Sequence, residues 1–173
     1  MIGEDLATND IHYSCPALNI APMTAMGQIE KQINDALAAG HRVRLIGSSL
    51  GGFFASAVME RHPRRAEFKA ALLNPAPWPA RDLAPYVGEL PAWHTQEVLH
   101  FRQEYIDDLK SLEVGISDPQ RYMLVAAKGD ELLDWNEMVA RYEGARHYII
   151  EGSDHSISDF ANHWPVIKPF LLR

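Results

Sequence analysis

Residues Gly47-Ser48-Ser49-Leu50-Gly51, followed by Gly52, form a G-x-S-x-G pattern. A serine in this setting does chemistry only when a strand runs into the first glycine and a helix leaves from the serine. The sharp turn then lifts the hydroxyl above the sheet edge. The flanking glycines are required because the turn brings backbone too close for side chains. The helix that follows points its positive end at the site, which suits a developing oxyanion, and the N–H of Leu50 is the first candidate donor. The bland alternative is a loop in which glycine and serine merely join two elements. A phosphate-binding loop is excluded, because its Lys-Ser/Thr ending is missing.

A serine hydroxyl is a weak nucleophile until a base takes its proton. Two later segments supply partners in the order Ser, acid, His. Asp130 stands in Lys128-Gly129-Asp130-Glu131-Leu132-Leu133-Asp134, and His155 in Gly152-Ser153-Asp154-His155-Ser156. Of the 8 histidines, only His155 follows the last apolar run in a glycine-containing loop. Asp134 is the alternative acid, and Asp130 is preferred because it lies nearer the strand end. Asp154 is read as a helix cap without a catalytic role, and the glycine spacing selects Ser49 over Ser48. The chemistry expected of Ser49, His155 and Asp130 is acyl transfer to water, with no cofactor and no metal.

These residues need elements to hold them. Four short apolar runs read as strands: Val43–Ile46, Ala70–Leu73, Tyr122–Ala126 and His147–Ile150, with a weaker one at Ile11–Tyr13. Their nearly continuous apolar character suits a parallel sheet covered on both faces. Helical patterns lie between them at Thr24–Ala39, Leu50–Arg61, Asn136–Tyr142 and Ser158–Leu172. Pro165 and Pro169 are expected to bend or break the last of these. The alternation predicts an α/β fold with a doubly wound, mostly parallel sheet.

The stretch from about 75 to 115 differs, being rich in proline and aromatics, with a helix expected over roughly Thr95–Leu112. Two readings stay open: a packed peripheral helix pair, or a cap whose aromatics, Trp78 and Trp93 first among them, line an acyl or aryl pocket. The chain as a whole reads as one domain, 1–173.

The composition narrows the function classes. Of the 173 residues, 47% are hydrophobic and 23% charged, as in ordinary globular domains. The net charge of -7 argues against binding nucleic acid through its phosphates. A lone Cys15 builds neither a disulfide framework nor a cysteine-rich zinc site. The opening Met1-Ile2-Gly3-Glu4-Asp5 lacks the basic region of a signal peptide, and no apolar run approaches the ~20 residues of a membrane span. The expectation is a soluble cytoplasmic protein acting on a small molecule, with neither nucleic acid nor membrane as partner.

Four motifs taken together carry a resemblance. At Gly47–Gly52, Leu73-Asn74-Pro75-Ala76, Lys128–Asp134 and Gly152–Ser156 the chain resembles the YqiA/YcfP-like esterases, small bacterial proteins of the α/β-hydrolase superfamily, and Cys15-Pro16-Ala17-Leu18 also looks like theirs. The resemblance implies a three-layer α/β/α sandwich of α/β-hydrolase type, and carboxylesterase or thioesterase activity. It also implies the triad Ser49, Asp130 and His155. One departure stands out. Members of that family open with a strand ending in a His-Gly-Phe type loop that supplies a second oxyanion donor. No such segment precedes Ile11, and Met1–Thr8 instead looks like the helix that should follow it. The alternative function is therefore a catalytically weak or inactive α/β-hydrolase-like binding protein. A flavodoxin-like nucleotide or signalling domain would explain the alternating pattern, but not three catalytic residue types at three strand ends.

Overall fold

A computed structural model describes residues 2–7, 11–91 and 98–173 of the chain. Its centre is a parallel sheet of four strands, β1 (Arg44–Ser48), β2 (Lys69–Leu73), β5 (Tyr122–Ala127) and β6 (Arg146–Ile150), in that spatial order. A separate antiparallel pair, β3 (Gly88–Pro91) and β4 (Val98–Phe101), lies between β2 and β5 in the chain. The four runs read as strands in the sequence correspond to the four strands of the main sheet: three are one residue longer, and the first is shifted, from Val43–Ile46 to Arg44–Ser48. All six residues of β5 are buried, as both-face coverage demands.

Alternation along β2 and β5 divides the core into two layers. Ala70, Leu72, Tyr122, Leu124 and Ala126 face one side, where they meet α2 (Pro22–Ala38), α3 (Leu50–Arg61), α5 (Gln103–Leu112) and α6 (Trp135–Arg141). Ala71, Leu73, Met123, Val125 and Ala127 face the other, where they meet α1 (Ile2–Ala7) and α7 (Phe160–Leu172). The result is the expected three-layer α/β/α sandwich. The small residues of α3 explain its place: Ala55, Ser56 and Ala57 are buried and let the helix lie close on β1 and β2.

Three expectations are corrected. Ile11–Tyr13 forms no strand; residues 12–20 run exposed and without regular structure. Among the described residues, no strand pairs with the outer edge of β1. The helix expected from Thr95 begins only at Gln103, because Val98–Phe101 pairs as β4 and Arg102 is extended. Pro165 and Pro169 do not break the last helix, which runs from Phe160 to Leu172 with both inside it. Each proline removes one intrahelical bond, and the burial of Trp164, Ile167, Phe170 and Leu171 against the sheet offsets that loss. The stretch from 75 to 115 contributes Tyr105, Ile106, Leu109 and Leu112 to the larger core through α5.

Leu124, fully buried in the middle of β5, tests the packing. Leu124→Ala is expected to cost about 2–5 kcal/mol and lower Tm by at least about 4 °C, read by thermal unfolding followed by circular dichroism.

Candidate active site

The parallel register brings the C-terminal ends of β1, β2, β5 and β6 to one edge of the sheet, and the candidate site is built there. Ser49 follows β1 directly and sits at φ 52°, ψ −122°, a conformation that a residue with a side chain adopts only under constraint. The constraint is visible. The N–H of Ser49 donates to the Leu73 carbonyl (3.0 Å), and the Ser49 carbonyl accepts from Gly52 (2.9 Å) and Ala76 (3.0 Å). The glycines of the motif are there for space. A Cβ on Gly47 would stand 2.4 Å from the Gly51 carbonyl oxygen, and one on Gly52 would stand 2.6 Å from Cβ of Pro75. Leu50 opens α3, so its N–H has no carbonyl one turn back within the helix.

Asp130 and His155 reach the same point from β5 and β6. The turn after β5 must pass against the turn after β6: a Cβ on Gly129 would stand 2.1 Å from the Ser153 carbonyl oxygen. The Asp130 side chain is fully buried. Its Oδ1 accepts from the backbone N–H groups of Leu132 and Leu133, both at 2.9 Å. Nδ1 of His155 lies 2.8 Å from Asp130 Oδ2 and 3.0 Å from Oδ1, and Nε2 lies 2.9 Å from Ser49 Oγ. A carboxylate only accepts, so Nδ1 carries the proton of the neutral imidazole and Nε2 is left to accept from the serine hydroxyl. Ser49, His155 and Asp130 are thus brought into one hydrogen-bonded line from three strand ends.

Asp134 stands apart from this line. It is the N-cap of α6, accepting from the N–H of Asn136 at 2.8 Å. Asp154 caps a turn ahead of the last helix instead of the helix itself, accepting from the N–H (2.9 Å) and hydroxyl (2.6 Å) of Ser158. The Ser158 hydroxyl and amide hold the Asp154 carboxyl below its ordinary range. Trp78 has the Arg141 guanidinium over its ring at 4.5 Å, and it lines a cleft of about 300 Å³ with Val114, Ile116 and Glu137 that contains no triad residue. Trp93 lies outside the described residues.

Sequence reasoning missed the supports of the histidine loop. The Glu131 carboxylate accepts from the His155 N–H at 2.9 Å. The buried Asn74 donates from Nδ2 to the carbonyls of Asp154 and His155, both at 3.0 Å. Ser153 donates to Asp159, which accepts from His163 Nε2 at 2.9 Å, and His163 Nδ1 lies 3.0 Å from the Tyr148 hydroxyl. The Ser153 hydroxyl, and after it His163, hold the Asp159 carboxyl below its ordinary range. Only Asn74-Pro75 after a strand hinted at any of this. No cluster of three metal-ligating side chains occurs among the described residues. No helix among them is long and apolar enough to cross a membrane.

Known structures share this architecture. Est1E from Butyrivibrio proteoclasticus, solved with ferulic acid bound, superposes with a TM-score of 0.71 at 19% identity, over 89% of this chain and 69% of that one. The esterase domain of a Rhodothermus marinus protein gives 0.60 at 17% identity, over 83% of this chain and 66% of that one. A monoacylglycerol lipase from Paleococcus ferrophilus gives 0.56 at 14% identity, over 89% and 76%. At such identities the likeness establishes the fold, that of the α/β-hydrolases. In sequence, the profile of the uncharacterised protein family UPF0227 matches residues 4–172. The chain therefore belongs to UPF0227, the YqiA/YcfP-like family, built on the α/β-hydrolase fold.

Proposed function

We propose that the protein is a serine esterase that hydrolyses small carboxylic esters or acyl thioesters through an acyl-enzyme on Ser49. The observation that carries this reading is the continuous line from Asp130 through His155 to Ser49 Oγ, with the imidazole tautomer set by the buried carboxylate. His155 takes the hydroxyl proton as Ser49 Oγ attacks the carbonyl carbon. The oxyanion that forms meets the N–H of Leu50 at the positive end of α3. His155 then hands its proton to the leaving alkoxide or thiolate, the tetrahedral centre collapses, and the acyl group stays on Ser49. Water repeats the sequence and releases the acid. Asp130 remains ionised throughout and stabilises the imidazolium. The solved relatives named esterase and lipase support an ester as substrate.

One observation favours a second reading, a catalytically weak or inactive binding protein of the same fold. Among the described residues, no strand flanks β1 on its outer side, so no loop from there offers Ser49 a second oxyanion donor. Loss of one such donor typically costs ~10²–10³ in turnover.

A fluorophosphonate probe with peptide mapping separates the two readings. A single adduct on Ser49, absent in Ser49→Ala together with all hydrolysis of p-nitrophenyl butyrate, is the expected result. A folded protein that takes no adduct is the binding protein. The acid is tested by a pair of variants. Asp130→Asn leaves the shape intact but no longer enforces the tautomer, and kcat is expected to fall by up to ~10⁴-fold. Asp134→Asn keeps an equally good N-cap and is expected to retain turnover. The reverse pattern in steady-state kinetics would make Asp134 the acid.

A further inference from the structure

We propose that Asn74 is a positioning residue of the triad: its carboxamide ties the backbone of the His155 loop to the ends of β2 and β5, and so sets where the imidazole stands between Asp130 and Ser49. The inference rests on the esterase reading of those three residues.

Asn74 is fully buried immediately after β2 and holds a left-handed backbone, φ 40°. Its side chain makes three hydrogen bonds. Oδ1 accepts from the N–H of Ala127 at 2.8 Å. Nδ2 donates one hydrogen to the Asp154 carbonyl and the other to the His155 carbonyl, each at 3.0 Å. The orientation of the amide is unambiguous, because a backbone N–H only donates and a carbonyl only accepts. The main-chain N–H of Asn74 donates to the Val125 carbonyl at 2.9 Å.

These partners lead to two of the three triad residues, and the third is bonded to the residue beside Asn74. Leu73, next to Asn74, accepts from the Ser49 N–H. Ala127 ends the strand that leads to Asp130. The two carbonyls belong to His155 and its neighbour. The His155 peptide is thus gripped on both sides, at its carbonyl by Asn74 and at its N–H by Glu131. Glu131 is exposed, so water can replace it, whereas Asn74 is sealed from solvent. The loop needs a tether, because Ser153 at φ 64° and Ile157 at φ 48° bracket His155 in a conformation that side-chain-bearing residues avoid.

No isosteric residue does the same work. Asn74→Asp keeps the shape and the bond from Ala127, but turns a carboxylate oxygen toward two carbonyl oxygens and pushes the loop away. Asn74→Gly suits the backbone angle and removes the tether.

The test is steady-state hydrolysis of p-nitrophenyl butyrate by the wild type and both variants, each also in a His155→Ala background, with circular dichroism to establish the fold. A misplaced catalytic group can cost ~10²-fold, and a kcat loss of that order with unchanged KM is expected in both variants. In the His155→Ala background neither substitution is expected to lower the residual rate further, because the residue they position is gone. Wild-type kcat in the folded variants would overturn the assignment. An equal proportional loss with and without His155 would do the same, since it marks a general structural role. Loss of the fold in both variants would make Asn74 a fold residue and end the proposal as well. A wild-type protein with no Ser49-dependent turnover would instead overturn the esterase reading beneath it.

Discussion

The turn at Ser49 is the constraint on which the rest of the site depends. A serine at φ 52° costs of the order of 1–3 kcal/mol, and it persists only because the surroundings over-determine it. Backbone hydrogen bonds do so: one goes to Leu73 at the end of β2, one comes from Ala76 just after it, and one comes from Gly52 in the first turn of α3. The close passage of β1 and α3 then leaves no room for a side chain at Gly47, while Pro75 leaves none at Gly52. The strained turn holds the hydroxyl out at the sheet edge with the first turn of α3 beneath it.

The parallel sheet supplies what the turn cannot. Strands in register end at the same edge, so residues 49, 130 and 155, far apart in the chain, converge without any one element having to reach. The carboxylate of Asp130, in the turn beyond β5, is wholly out of water. A buried carboxylate is costly unless hydrogen-bonded, and here two backbone N–H groups and an imidazole satisfy it. Satisfaction and orientation are the same fact: the bonds that make its burial tolerable also fix where it points.

The histidine loop is the least self-sufficient part. It carries two non-glycine residues with positive φ and no regular structure, and its conformation is borrowed from Asn74, Glu131 and the Ser153–Asp159–His163–Tyr148 chain. Buried polar networks of this kind specify one arrangement only when every member is satisfied. Asn74 meets that condition, with both amide hydrogens and its carbonyl oxygen in use.

Local pattern decided a great deal. The G-x-S-x-G run between a strand and a helix of small residues, and the order Ser49, Asp130, His155 at successive strand ends, were legible because each depends on short-range chemistry: glycine where backbones touch, apolar runs where both faces are covered. Distance to the strand end favoured Asp130 over Asp134 in the sequence; in the fold Asp130 lies 2.8 Å from His155 Nδ1 and Asp134 is the N-cap of α6. What the sequence could not decide were matters of partnership across the chain. Ile11–Tyr13 has strand-like residues but pairs with no strand among the described residues, and Val98–Phe101 became a strand because Gly88–Pro91 lay opposite it. Pro165 and Pro169 stayed inside a helix because the sheet rewards the burial of their neighbours. Trp78 stacks under the Arg141 guanidinium, a partner 63 residues along the chain. Asn74 stood in plain view beside a proline, yet its three bonds exist only once β2, β5 and the loop after β6 are folded together. Its role was therefore tertiary from the start, since a hydrogen bond has no meaning until both partners are in place.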